Sequence, residues 1–236
     1  MRTTLAIVRR EFATYFLSPI PYLILAVYLA LAGVFLYFTI ADGADASVRP
    51  LVPTLSVILM ILTPALTMRL LAEERKSGTL EVMLTDPVTE WQLVLGKFFG
   101  CLLFFALLVS VLLVYGLVFE AYGDPDWVAL GFACVGLVLY GGAMIGIGLF
   151  LSSLTRNQVV AYVTAFVALL ALFLVDDLAG LIGGEIGRIG SAVGVQQHWD
   201  SFRKGILDTR DVVYFVSIAA LSLFLSVRVV EARRWK

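Results

Sequence analysis

Charge is what this sequence has least of. Of 236 residues, 15% are Asp, Glu, Lys or Arg, where a soluble domain carries about a quarter. There is one histidine, His198, and two cysteines, Cys101 and Cys134, each inside an apolar run. That excludes a disulfide framework and a Cys/His zinc motif, so both thiols read as small hydrophobes. HExxH and GxSxG are absent. So is a Walker A loop: Gly96-Lys97 is followed by Phe98, and no glycine stands five residues before Gly96. The chain is therefore expected to have no catalytic residue, metal site or cofactor of its own. A net charge of −1 creates no field for nucleic acid. Asp176-Asp177 is an acidic pair at the outer end of the fifth span, read as a solvated helix terminus or as a metal or proton site.

What fills the sequence is apolar residues, 61% of the chain. No charge lies between Glu11 and Asp42, Arg49 and Arg69, Lys97 and Glu120, Asp126 and Arg156, Arg156 and Asp176, or Asp211 and Arg228. Crossing hydrocarbon takes about 20 residues at about 1.5 Å rise each. Only helices satisfy their own backbone there, since a lone strand would leave its polar groups unpaired. These gaps predict an all-α membrane protein, one transmembrane domain over 1–236. Its spans fall at about 20–40, 51–70, 98–119, 127–151, 158–176 and 212–230. The last gap is shortest and requires Arg228 to snorkel to the headgroups. The first run is about twice a secretion-signal core and five more follow it, so it reads as a span.

Orientation follows from the basic residues. Of the seventeen Lys and Arg, twelve fall in one alternating set of segments, which includes both termini and 70–97. That set is predicted to be cytoplasmic. Trp127, Tyr122, Tyr214 and Trp235 stand near span ends, as interface anchors do.

Local signals refine the spans. Leu5, Val8, Phe12 and Phe16 share one face of a helix over 2–18, which suits the membrane interface or, alternatively, a frayed terminus. Pro64 should kink the second span. Asp124-Pro125 should start the fourth, and Thr155-Arg156-Asn157-Gln158 reads as a capping box between the fourth and fifth. Gly142 and Gly146, joined by Gly148, and Gly96 and Gly100 form small-residue patches that allow helices to approach closely.

The segment after the second span holds most information. Glu73 and Glu74 precede Gly78, a helix breaker. Thr79 can cap a short helix bearing Leu80, Met83 and Leu84 on one face, which Asp86-Pro87 ends. Thr89 and Gln92 cap the helix entering span three. The short helix reads as a docking element for a cytoplasmic partner or as a connector resting on the membrane.

These residues resemble the signature of ABC-2 type permeases, the membrane subunits of ATP-binding cassette transporters. The matching pieces are Glu73-Glu74, Gly78-Thr79-Leu80-Glu81, Pro87-Val88 and Leu95-Gly96-Lys97. Phe16-Leu17-Ser18-Pro19-Ile20, Leu154-Thr155-Arg156-Asn157-Gln158 and His198-Trp199-Asp200-Ser201-Phe202 are similar to a gliding-motility, GldF-like branch. The resemblance implies an interfacial N-terminal helix, a coupling helix between spans two and three, and two permease and two ATPase subunits per complex. It implies that Glu73, Glu74, Gly78, Thr79, Leu80, Glu81, Leu84 and Pro87 meet the ATPase, with ATP bound by that partner. It also implies a plasma membrane of bacterial inner-membrane type, a second permease copy or paralogue, and export.

Before span six, apolar residues recur at helical steps from Leu178 through Ile186 and Ile189 to Trp199, Phe202 and Ile206. They read as short amphipathic external helices or as a glycine-rich connector. By resemblance, Ile186, Ile189, Trp199 and Phe202 become candidates for an external gate. The alternative for the whole chain is a non-transporting anchor or scaffold of an envelope or motility complex.

Overall fold

The computed structural model describes residues 2–41, 50–79, 89–121, 126–182, 184–185, 190, 194–203 and 208–234. Among these residues the chain is helical and without strands. Helix α1 (Arg2–Leu17) turns at Ser18 into α2 (Pro19–Ala41). α3 (Leu51–Thr67) leads through a turn into the short α4 (Ala72–Ser77). Then follow α5 (Glu90–Glu120), α6 (Trp127–Leu154), α7 (Gln158–Ile182), α8 (Val195–Arg203) and α9 (Thr209–Arg234).

Among the described residues six stretches are long and apolar enough to cross a bilayer: Pro19–Ala41, Leu51–Ser77, Glu90–Glu120, Trp127–Leu154, Gln158–Leu181 and Thr209–Ala232. Each covers one of the six charge-free gaps; the first and fourth stay within theirs, and the other four run past into charged residues. The sixth is the telling case. It gains length by starting before Asp211, which is only 5% exposed because His198 engages its carboxylate. At its other end Arg228 stacks over the Phe224 ring at 4.9 Å and bonds Glu231 at 2.9 Å. The chain is a multi-pass, all-α membrane protein.

The spans are not equivalent. In α3 and α6 61% of the span is buried, against 17% in α2 and α7. The first two form the core, and the second two present apolar faces outward. α6 is central because its glycines admit a neighbour on each side. A Cβ on Gly146 would lie 3.3 Å from Ala219 Cα of α9, and one on Gly148 would lie 2.7 Å from Thr67 Cβ of α3. Gly142 is roomier, with Phe98 of α5 at 3.8 Å. The Gly142/Gly146 pair thus serves two different neighbours.

Of three expected caps, one forms as expected and two differ in detail. Thr89 and Gln92 do form a reciprocal capping box at the start of α5. Between α6 and α7, however, the cap is Asn157, whose Oδ1 accepts from Val159 N at 2.9 Å. Thr155 Oγ1 instead accepts from Asn157 N, so it shapes the turn ahead of the cap. α6 is capped by Asp126, which accepts from Ala129 N at 3.0 Å. Asp124 and Pro125 lie outside the described residues. Pro64 sits inside α3, four residues before the Met68 C-cap, whose N–H bonds Pro64 O.

Candidate functional site

The two ends of the bundle are built differently. One end carries α1, the ends of α3 and α6, α4 and the start of α5. The other carries α8 against the end of α7 and the start of α9.

At the first end α1 packs on protein. Ile7 faces Gly96, Glu11 and Val8 face Gly100, and the Tyr15 ring stacks on Phe104 at 4.9 Å. Contacts advance in the same direction along both helices, so α1 runs beside the first turns of α5. The glycines permit this. A Cβ on Gly96 would lie 2.5 Å from Ile7 Cγ2, and one on Gly100 would lie 2.7 Å from Glu11 Cβ. Burial pushes the Tyr15 phenol well above its ordinary pKa. It stays neutral and donates to Leu66 O at 3.3 Å, tying α1 to the end of α3. Leu5 and Phe16 of the expected apolar face remain exposed, whereas Val8 is buried.

Glu11 was not part of that apolar face, yet it points inward. Lys97 Nζ donates to Glu11 Oε1 at 3.0 Å and to Glu74 Oε1 at 2.7 Å. Lys97 is 1% exposed. Burying a cation costs several kcal/mol, in general, unless it is paired and hydrogen-bonded; here two carboxylates supply both. The cluster joins α1, α4 and α5 at one point. Sequence spacing could not show this, because the partners lie 86 and 23 residues from Lys97.

α4 is pinned from its other side. Ser152 Oγ, fully buried on α6, accepts from Ala72 N at 3.1 Å and from Leu71 N at 3.3 Å. It donates to Met68 O at 3.2 Å. One hydroxyl therefore caps the start of α4 and closes the turn before it. Arg75 Nη1 donates to Ser153 O. Glu73 stays half-exposed, 3.9 Å from Arg69. Gly78 ends α4 with a φ of 74°, a left-handed conformation that other residues adopt at a cost. Thr79 Oγ1 sits 2.8 Å from Ser77 Oγ and donates to Glu74 O at 3.4 Å. Leu80, Glu81, Leu84 and Pro87, with the rest of the expected coupling helix, lie outside the described residues.

At the opposite end α8 is an amphipathic helix clamped to three spans. Asp176 accepts from Gln196 N at 2.7 Å, and Asp177 accepts from Gln196 Nε2 at 3.2 Å. The acidic pair therefore holds α8 on the end of α7. His198 Nδ1 lies 2.8 Å from Asp211 Oδ1 of α9, and its ring stacks on Tyr214 at 3.9 Å. Trp199 and Phe202 are both buried. Trp199 lies 5.4 Å from the Tyr140 ring. Phe202 fills the notch left by Gly136, where a Cβ would stand 2.5 Å from its Cγ. Ile186 and Ile189 lie outside the described residues.

No three His, Cys, Asp or Glu side chains among the described residues converge as metal ligands would. The molecule is defined by six spans and two reinforced ends. Residues 7–227 match the family model described as ABC-2 family transporter protein, and the chain belongs to that family. Among curated relatives it is similar to "Probable multidrug ABC transporter permease YbhR" of Escherichia coli strain K12, with 32% identity over 105 residues. The same figures hold for the protein of that name in Escherichia coli O157:H7. The match takes in 44% of this chain and covers 28% of the length of each relative.

Proposed function

We propose that this chain is the permease subunit of an ATP-binding cassette exporter. Its spans carry the substrate path, while a separate cytoplasmic ATPase binds and hydrolyses ATP. The complex would hold two permeases, identical or paralogous, and two ATPases. The first end of the bundle would face the cytoplasm of a bacterial-type plasma membrane. The observation that carries the reading is the anchoring of α4. Lys97 ties it to α1 and α5, and Ser152 and Arg75 tie it to α6. A push on the 80–88 segment that follows would therefore reach α1 and two membrane helices, α5 and α6, as one rigid body. Leu80 and Leu84 would enter an apolar cleft of the ATPase, with Glu73, Thr79 and Glu81 around them. Glu74, whose Oε1 is held by Lys97, would act by fixing α4 rather than by touching the partner.

The test is co-purification of the chain with a co-expressed candidate ABC ATPase subunit, followed by measurement of ATP hydrolysis in proteoliposomes. Leu80→Glu/Leu84→Glu should abolish both association and stimulation. If the double variant still binds and stimulates, the docking assignment is wrong.

A further inference from the structure

A half-open cavity of about 440 Å³ lies at the first end of the bundle, where α1 turns into α2 against α3, α4 and α5. Its volume suits a small ligand or a lipid headgroup. Ile20, Ile24, Leu66 and Leu70 form an apolar wall. Arg10, Glu11, Arg69, Glu73, Glu74 and Lys97 form the polar one. Leu17 lies at the rim and is 85% exposed, so the border of the cavity is greasy at the level where the first span begins.

The polar wall is balanced in charge, with three cations and three carboxylates, but not in hydrogen bonds. Lys97 Nζ gives two of its three N–H groups to Glu11 Oε1 and Glu74 Oε1. Glu74 Oε2 is buried and has no hydrogen-bond partner among the described residues. Arg69 Nε is also buried without a hydrogen bond, since Glu73 Oε2 stands 3.9 Å away. Buried polar atoms are nearly always satisfied. One cavity wall thus carries an acceptor wanting a donor and a donor wanting an acceptor, beside an apolar wall.

We infer that this cavity binds one zwitterionic phospholipid with a primary ammonium headgroup, taken from the adjoining leaflet. The phosphate sits with Arg69 and Arg10, and the ammonium with Glu74 and Glu73, after small side-chain rotations that bring Glu74 Oε2 and Arg69 Nε to the ligand. The glycerol and upper acyl carbons rest on Ile24, Leu66 and Leu70. A quaternary headgroup has no N–H to give Glu74, and a glycerol headgroup offers hydroxyls but no cation to offset Glu73 and Glu74. The site stands on the cavity itself and holds whether or not the chain drives transport.

Native mass spectrometry of the full chain, extracted from vesicles of equal parts phosphatidylethanolamine, phosphatidylcholine and phosphatidylglycerol, tests this. One phosphatidylethanolamine per chain should be retained, at least fivefold over either other lipid. Ala65→Trp, which fills the cavity, and Arg69→Gln, which removes the guanidinium, should each abolish the preference. Should Ala65→Trp fail to fold, Arg69→Gln decides alone, because that side chain is 35% exposed and tolerant of change. Equal retention of the three lipids, or an undiminished preference in Arg69→Gln, overturns the inference.

Discussion

Lys97 Nζ stands 2.7 Å from Glu74 Oε1, which places a buried cation of the third span in direct contact with the short helix that follows the second. With Glu11 at 3.0 Å on the other side, the ammonium is the junction of α1, α4 and α5. Removing it would leave two carboxylates facing each other in a site made for a cation.

Lys97→Met should therefore be strongly destabilising, by about 3–5 kcal/mol, as when one partner of a buried ion pair is deleted. Adding Glu11→Gln and Glu74→Gln to that variant should recover most of the loss, because the uncompensated charges go with it. Thermal unfolding of the purified chain in detergent reads both effects. A triple variant no more stable than Lys97→Met would show that the cluster contributes little.

The α1–α5 contact predicts a graded response at three glycines. Gly100→Leu and Gly96→Leu should lift α1 from α5, at a cost of about 1–3 kcal/mol from overpacking. Gly142→Ala should be nearly silent, because its closest neighbour lies at 3.8 Å. Protease cleavage within α1 measures the detachment. Equal sensitivity of all three variants would contradict the packing described.

Ser152→Ala leaves the N–H groups of Leu71 and Ala72 without their buried acceptor. A loss of about 1–3 kcal/mol is expected, together with faster hydrogen exchange over α4. Ser152→Thr retains the oxygen and should fall between the two. If exchange in α4 is unchanged in Ser152→Ala, the cap is not what holds this helix.

Phe202→Ala empties the notch at Gly136 and should cost about 3–5 kcal/mol. His198→Phe should be milder, since it keeps a ring on Tyr214 while losing the bond to Asp211. A cysteine introduced at Ser217 of α9 reports on the lost seal through its rate of labelling by a small maleimide. Faster labelling in His198→Phe than in Phe202→Ala would reverse the assigned order.

A cysteine at Asp208 should react with a membrane-impermeant reagent applied to intact cells, and one at Arg156 only after lysis, because basic residues select the inner face. The reverse pattern would invert the proposed orientation.

Six spans were legible because hydrocarbon imposes a length and forbids charge, and both are linear properties of a sequence. The capping box at Thr89 was legible for the same reason: its two residues are three apart. Caps failed where several candidates stood side by side. Asn157 won over Thr155, since a cap is chosen by where the backbone turns. Asp176 and Asp177 read in sequence as a solvated helix end or a metal or proton site, and Glu11 only as the edge of a charge-free run, yet each is a tertiary clamp.

By itself the sequence determined an all-α, six-span membrane protein and the family signature around Glu73, Glu74 and Gly78, since hydropathy and short motifs act through neighbours along the chain. Only the tertiary structure decided which charges are paired and which glycines touch what. Lys97 meets carboxylates from two other helices, and Gly146 and Gly142 serve different neighbours. A buried charge and a missing Cβ have meaning only through what packs against them, and that is set by distances in space rather than along the chain.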